Sequence, residues 1–560
     1  MASKLSFFLA ELKRRKVYHV GAVYAAVGVA ISIAVPDLFG AFLFPSWAAP
    51  LVIVVIVIAF PIALVLAWAY EVRPEEPGEA EKAPAPVSAP SESERKSIVV
   101  LPFDNMSPDT GDAYFSDGLT EEIITHLSCC GLLRVISRNS AMVLKGTQKS
   151  TRAIAEELKV QYVLEGSVRK AGEDLRITAQ LIHAAEDEHL WAETYEGTME
   201  DVFRIQENTA RSIVEALRLS LTPEEDQRLA ERPFDDVQAF QFYLKARSEF
   251  WSTEPGSQEK ALRLLHEAVN VIGEHPLLIS GIGAVHWQFH HQLGEYDHGH
   301  LNKIQDCAEK LFADDPASPY GHRLTGYLKL DAGDTDEATR HLYQAWRGDP
   351  NDAETLLWLS YFLAFQAGRP AMSRPVAERY LGIDPLDPLC RSGMFMLHWM
   401  NGDTGLALEA VDEGLRIDPH LRTLAFHRGH LLTWDGRYED SFRQAEALFD
   451  EDPNEAMGQA LRFLTLSLQG RKEEALTILT TKVREWFWGD FHLPWLIVEG
   501  LSILGEKREA MRWLERAIEK GIFNYPLFSS LDPFLENIRS EEEFKFLMAH
   551  VKEKWEAFEV

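Results

Sequence analysis

GDTDEATRHLYQAWRGDP, from Gly333 to Pro350, and GDTGLALEAVDEGLRIDP, from Gly402 to Pro419, decide the fold. Each opens on a glycine, sets an alanine five residues on (Ala338, Ala407) and closes on Asp-Pro. The punctuation repeats along the distal half of the chain. Asp-Pro stands at Asp315-Pro316, Asp349-Pro350, Asp384-Pro385, Asp418-Pro419 and Asp452-Pro453, at steps of 34, 35, 34 and 34 residues. Glycine keeps that step at Gly333, Gly368, Gly402, Gly436, Gly470 and Gly505. Ala338, Ser373, Ala407, Ser441, Ala475 and Ala510 follow them at the same offset.

The physics of each position predicts a helix–turn–helix unit. Glycine permits the tight turn between two helices. The small residue lets the second helix approach the first. Proline ends the second helix, because it cannot continue the hydrogen-bond ladder. A 34-residue unit of this kind is the tetratricopeptide (TPR) repeat. Two less regular units precede the periodic ones, one with Ala261, Ala268 and His275-Pro276, the other with Gly294 and a second helix ending at Asp315. The expectation is an array of about eight repeats over 223–522 and a helical cap over 523–560. Thr222-Pro223-Glu224-Glu225 opens it as a helix start. Tyr380 and Lys482 occupy positions that are usually small. One repeat cannot bury its apolar face alone, so the pairs stack into a superhelix with a concave groove suited to a peptide or helix of another protein. Trp346, Trp358, Tyr361, Trp399, Trp434, Arg437 and Tyr438 are the candidate protein-binding residues. The competing use of most of these aromatics is the core between repeats.

Working back from the array, two apolar runs stand near the N-terminus. Val17–Val35 has 19 residues and Trp47–Tyr70 has 24, the second without an ionisable residue. A helix needs about 20 to cross the hydrocarbon core, so both are expected transmembrane helices. Trp47, Trp68 and Tyr70 suit the interfaces, and Pro61 kinks the second span. Lys4, Lys13, Arg14, Arg15 and Lys16 make 1–16 a basic tail, whereas the loop Pro36–Ser46 has no Lys or Arg. The positive-inside rule then places both termini in the cytoplasm of a bacterial inner membrane. Residues 71–96, rich in Pro, Ala, Glu and Ser, read as a disordered linker.

Residues 97–222 read as an α/β domain with a mixed sheet. Strands are expected at Ile98–Leu101, Leu133–Ile136, Tyr162–Arg169, Leu175–Ile182 and Glu188–Tyr195. Helices are expected over Leu119–Leu127 with Asp117 as N-cap, over Thr151–Leu158, and from Thr198 towards Leu219 with a capping box at Thr198 and Asp201. SIVVLPFDNMS, FSDGLTEEIITHLS, LRVISRNSA, YVLEGSVRKAG and LRITAQLIHAAEDEHLWAETYEG, in that order, resemble the TolB N-terminal-like domain of bacterial multidomain proteins. In that family the domain sits between an output module (nucleotide cyclase, winged helix or kinase) and C-terminal TPRs. The segments FFLAELKRRKVYHVGAVYAAVG and FPIALVLAWAYEVRPE resemble its two-span variant, which has no output module. The resemblance implies architecture and no catalytic residue.

Chemistry finds few footholds. A net charge of −30 on 560 residues repels phosphate and disfavours nucleic acid as a partner. Cys129, Cys130, Cys307 and Cys390 form neither a metal-binding spacing nor a disulfide framework. No Walker A, G-x-G-x-x-G, G-x-S-x-G or H-E-x-x-H motif occurs. Asp104, Asn105, Asp109, Asp112 and Asp117 miss the EF-hand spacing, and Gly166 reads as a close strand contact. His286, His290, His291, His298, His300 and Asp297 form a cluster in which His286 and His290, one helical turn apart, are the pair spaced for a metal; a solvated cluster is the commoner use. No cofactor and no metal are expected. The leading expectation is a membrane-anchored, non-enzymatic scaffold with a protein partner, compatible with a homo-oligomer. The alternatives are a regulatory subunit that binds a small ligand in the α/β domain and acts on a cyclase or kinase, and an envelope-assembly factor facing the periplasm.

Overall fold

Ile98, Val99 and Val100 are buried on both faces, as a continuous apolar run in a central parallel strand should be. The computed structural model describes residues 95–559, apart from 110–111, 173, 231–233, 235, 251–255 and 293–297. The expected basic tail and spans at 17–35 and 47–70, and the linker to residue 94, lie outside the described residues. Among the described residues no helix is long and apolar enough to cross a membrane.

The first part is a six-stranded mixed sheet with four helices. In chain order these are β1 (Lys96–Val100), β2 (Asp104–Asn105), α1 (Ala113–Ser128), β3 (Leu133–Val135), α2 (Arg138–Val143), α3 (Thr151–Leu158), β4 (Tyr162–Ala171), β5 (Asp174–His183), β6 (Glu188–Thr198) and α4 (Val202–Ala216). The strand order is β3-β1-β4-β5-β6, with the short β2 also beside β4. β1 runs parallel to β3 and β4, and β4-β5-β6 is an antiparallel meander. Leu175, Ile177, Ala179 and Leu181 alternate into the core along β5, so one face is buried and the register is held. Gly166 fits because a Cβ there would strike the Thr178 carbonyl and the Phe103 ring. Thr198 and Asp201 form the expected capping box. Two helices depart from expectation, and β2 is a short strand where a loop is expected. α1 starts at Ala113, so Asp117 lies inside it and pairs with Lys145 at 2.6 Å rather than capping. α2 occupies a stretch whose periodicity is too short to signal a helix.

Helix α5 (Pro223–Ala230) begins with a capping box: the Thr222 hydroxyl accepts from Glu225 N, and the Glu225 carboxylate accepts from Thr222 N. Eight antiparallel helix pairs follow: α6 (Val237–Phe250) with α7 (Ser257–Ile272), α8 (Pro276–Gln292) with α9 (His298–Asp314), α10 (Pro319–Asp331) with α11 (Thr335–Gly348), and α12 (Ala353–Ala364) with α13 (Pro370–Ile383). Then come α14 (Cys390–Met400) with α15 (Thr404–Ile417), α16 (Arg422–Trp434) with α17 (Tyr438–Glu451), α18 (Ala456–Leu468) with α19 (Lys472–Ile478) and α20 (Thr481–Gly489), and α21 (Leu493–Ile503) with α22 (Lys507–Glu519). Helices α23 (Glu536–Arg539) and α24 (Glu542–Ala557) close the chain.

The TPR-type assignment rests on geometry. The six periodic glycines all take positive φ, from 61° to 84°, in the turns between paired helices. The six small residues after them are wholly buried. Ser373 and Ser441 also donate to carbonyls of the facing first helix, at Ser360 and Gly429, both at 2.7 Å. The second helices ending at 314, 348, 383, 417 and 451 each stop one residue before Asp-Pro. At Lys482 the unit departs from the rule: the second helix of pair seven breaks at Leu479-Thr480, and Thr480 caps a new segment.

Candidate functional site

The first helices of the pairs line the inner face of the superhelix, and from pair four onward that face carries rings. Tyr361 and Phe365 come from α12, Phe395 and Trp399 from α14, His427, His430 and Trp434 from α16, and Trp495 from α21, with His492 just ahead of it. These rings meet one another. Phe365 lies 5.2 Å from Trp495, Trp399 lies 5.3 Å from both Trp434 and Trp495, and His427 lies 5.1 Å from His492, centroid to centroid. The Tyr361 hydroxyl and His492 Nδ1 are 2.8 Å apart. Pair eight therefore closes on pair four, and the rings fill the channel between them.

Several polar groups inside this packing pair in a neutral state. Burial pushes the Glu499 carboxyl well above its ordinary range and holds His430 down to about 3. With the acid and the imidazole both neutral, the 2.6 Å contact between Glu499 Oε2 and His430 Nε2 is a hydrogen bond between neutral groups rather than an ion pair. The Trp434 indole donates to Glu499 Oε1 at 3.0 Å, and the Trp495 indole donates to Asp532 Oδ2 at 2.7 Å. Asp532 is also raised by burial, with Glu499 beside it. His427 falls to about 3 and His492 well below its ordinary value, for the same reason. The arrangement staples helices together; it holds no charged nucleophile or base open to a substrate.

The segment after α22 crosses the outer edge of the turns like a strap. Gly521 packs against Gly333 and Thr335, Asn524 against Gly368, and Leu531 against Gly402, so it passes pairs three, four and five in order. Phe523 N donates to Gln366 O at 3.0 Å, and Asn524 Nδ2 donates to Phe365 O at 2.8 Å. The Trp555 indole donates to Gly368 O at 3.2 Å, and the Arg369 guanidinium stacks 4.1 Å over the same ring. At the edge of the closure Trp287, His290, Asp331, Trp358, Asp490, Phe491 and Lys520 line a cavity of about 30 Å³, room for about one water.

The α/β domain docks on the opposite edge. Ser137 N donates to Ile383 O at 2.7 Å, and the Arg134 guanidinium to Gly382 O at 2.6 Å. Asp384 Oδ1 accepts from Ser140 N at 2.9 Å and Ser140 Oγ at 2.5 Å, so the carboxylate caps α2 from the array. Glu121 of α1 pairs with Arg138 at 2.9 Å and with Arg247 of α6. Buried beside it, the Glu122 carboxyl is pushed up to about 8. Deeper along the inner face, half-buried Arg323 meets Asp352 at 2.8 Å and Glu354 at 3.6 Å.

The seven candidate residues separate into three groups. Trp399 is fully buried and Tyr361 nearly so, both within the ring packing. Trp346, Trp358 and Trp434 are half-buried, and Trp434 is held by Glu499. Arg437 and Tyr438 are exposed at the turn of pair six, where Arg437 meets Asp440 at 2.7 Å. His286 and His290 do not converge. His286 Nδ1 lies 3.0 Å from His300 Nδ1, while His290 Nε2 lies 2.8 Å from Asp331. The side chains of His291, Asp297 and His298 lie outside the described residues, and among the described residues no three His, Cys, Asp or Glu side chains stand close enough to hold a metal. The acidic loop also disperses: Asp112 meets Lys170 at 3.0 Å and Asp117 meets Lys145. The cysteines are free. Sequence reasoning missed His427, His430, His492, Glu499 and Asp532, whose spacing in the chain carries no signal of their meeting.

Known proteins share parts of this chain. Residues 94–212 match the sequence model of the HilA/YgeH-like transcriptional regulator family, second domain. "Putative adenylate cyclase 3" of Rhizobium meliloti (strain 1021) is 36% identical over 263 residues, 46% of this chain and 43% of that protein. The chain thus spans less than half the length of the curated relative it matches. A tetratricopeptide repeat protein from Parabacteroides merdae ATCC 43184 aligns at 16% identity and TM-score 0.32, over 45% of this chain and 98% of that one. A thermophilic TPR protein of Thermus thermophilus aligns at 18% identity and TM-score 0.29, over 35% of this chain and 99% of that one.

Proposed function

We propose that this chain is a non-enzymatic scaffold, anchored in a bacterial inner membrane by residues 17–35 and 47–70, that binds a protein partner through its helical array. The observation that carries the reading is the solenoid: eight stacked pairs, the last six turned on left-handed glycines, welded to the α/β domain, with the titratable groups of the ring-filled inner face held neutral by burial. Such a body offers surface rather than chemistry. Arg437 and Tyr438, exposed at one turn, are the anchors most open to a partner, with half-buried Trp346 and Trp358 as further contacts. The basic tail ahead of the first span supports cytoplasmic termini. The test is a crosslinking pull-down from native membranes with the full chain and with Arg437→Ala/Tyr438→Ala. One protein should be recovered, and less of it with the variant. Recovery of no specific protein, or cyclic nucleotide formation by the purified chain, overturns the reading.

A second reading is a regulatory subunit that binds a small ligand in the α/β domain and acts on a cyclase. Its support is the similarity to a protein named as an adenylate cyclase, over less than half that protein's length. A surface concavity of about 230 Å³, lined by residues including Arg152, Glu156, Gln161 and His183, is where a small ligand would sit. Thermal stabilisation of the full chain by a nucleotide, lost in Arg152→Ala, favours this reading over the first.

A further inference from the structure

The sheet has two edges, and the chain treats them differently. The β3 edge is covered by the array, with Ser137 N donating to Ile383 O and Arg134 to Gly382 O. β6 ends the strand order at the other edge. It has eleven residues, and eight of them are exposed. Among the described residues no backbone hydrogen bond joins β6 to any strand other than β5. An edge of this length is a template for another strand. Of the usual protections, Glu188–Thr198 has charged side chains and the register shift at Leu190, but neither short length nor proline nor lysine.

Charge decides what the edge accepts. β6 carries Glu188, Glu193 and Glu196 with no Lys or Arg, and the turn before it adds Glu186 and Asp187. Glu193 accepts from the Tyr195 hydroxyl at 2.6 Å and Glu196 lies 3.6 Å from Arg176, both at exposed positions. A second copy pairing antiparallel about a two-fold axis would set these carboxylates against one another, which is unfavourable. In the register with β5, Glu188 and Glu193 share one face of the sheet and Glu196 the other, so a segment with Lys or Arg at alternate positions gains the main-chain ladder together with ion pairs to Glu188 and Glu193. Leu190, 38% exposed at the register shift opposite Leu181 and Ile182, adds an apolar contact. We propose that β6 binds an extended, basic polypeptide segment, which adds to the sheet as a seventh strand. This surface is separate from the helical array and stands without the array reading.

The test uses the full chain and two labelled ten-residue peptides, one alternating Lys with Val and one alternating Glu with Val. The Lys peptide should bind by fluorescence anisotropy, and the Glu peptide should not. Glu188→Lys/Glu193→Lys should weaken binding by about tenfold or more, whereas the distant reversal Glu473→Lys/Glu474→Lys leaves it unchanged. Hydrogen exchange should slow across 188–198 when the Lys peptide is added. Binding weakened equally by both reversals, binding without protection of β6, or no binding each overturns the proposal. Because the peptides and the β6 variant touch no array residue, a failed membrane pull-down would leave this result standing, and the converse.

Discussion

Asp384 belongs to the Asp-Pro series, and its neighbours in the series show what it gives up. Asp315, Asp349, Asp418 and Asp452 each accept from a backbone N–H two residues on, a local turn. Asp384 instead gives Oδ1 to Ser140 of the α/β domain. Burial, with Asp387 beside it, pushes its carboxyl from 3.8 up to about 7. The folded chain therefore holds this proton more tightly than the unfolded one. The associated stability is full below about pH 4 and is lost as pH rises through 7. Melting curves of the wild type should fall, relative to Asp384→Asn, between about pH 4 and pH 7; parallel curves would contradict the assignment. Asp384→Ala takes away the acceptor of Ser140 N and Ser140 Oγ–H, while Ser140 Oγ still accepts from Leu386 N, and should cost about 2 kcal/mol. The histidines act on the acid side. His427 is held at about 3 against 6.5 when unfolded, so the unfolded state takes the proton first and stability falls as pH drops from about 6.5 towards 3. His427→Gln should flatten that acid limb by on the order of 2 kcal/mol at pH 4, read by denaturant titration.

Two turns between helices share a conformation and differ in surroundings. Gly333 has φ 77° and Gly436 has φ 76°. A Cβ at Gly436 meets open space, whereas one at Gly333 would strike the Glu519 carbonyl under the strap. Gly436→Ala should cost about 1 kcal/mol from the left-handed backbone alone. Gly333→Ala should cost clearly more, and equal costs would remove the strap's close approach from the account. Asn524→Ala tests the strap directly. The side chain donates to Phe365 O and accepts from Leu527 N at 3.1 Å, so its loss should cost about 2 kcal/mol and speed hydrogen exchange in 520–532 and 365–369 together. At this scale much was legible. The glycine, small-residue and Asp-Pro steps are local signals, and so are the alternating apolar residues of β5. α2 was not, because six residues are too few to show a helical period.

Closure belongs to the whole molecule. Contacts between Tyr361 and His492 span 131 residues, and those between Gly368 and Trp555 span 187. A chain ending at residue 520 loses Phe523, Leu527, Phe528, Leu535 and Ile538 from the core, all essentially fully buried. It should melt at lower temperature, bind a hydrophobic dye and give a red-shifted tryptophan spectrum; a native-like spectrum would show that pairs four and eight meet without the strap. A periplasm-only reporter fused to the C-terminus should stay inactive if both termini are cytoplasmic. The sequence by itself determined the repeat unit, the positions of the sheet's long strands and the absence of familiar catalytic motifs, because each is written in residues a few positions apart. Only the tertiary structure decided that the groove expected to stand open is filled by its own rings from pair four onward, that Trp399 serves the core while Tyr438 faces solvent, and that the two sheet edges differ. Those outcomes depend on how many small rotations between stacked pairs accumulate before distant helices touch, and no local period records that sum.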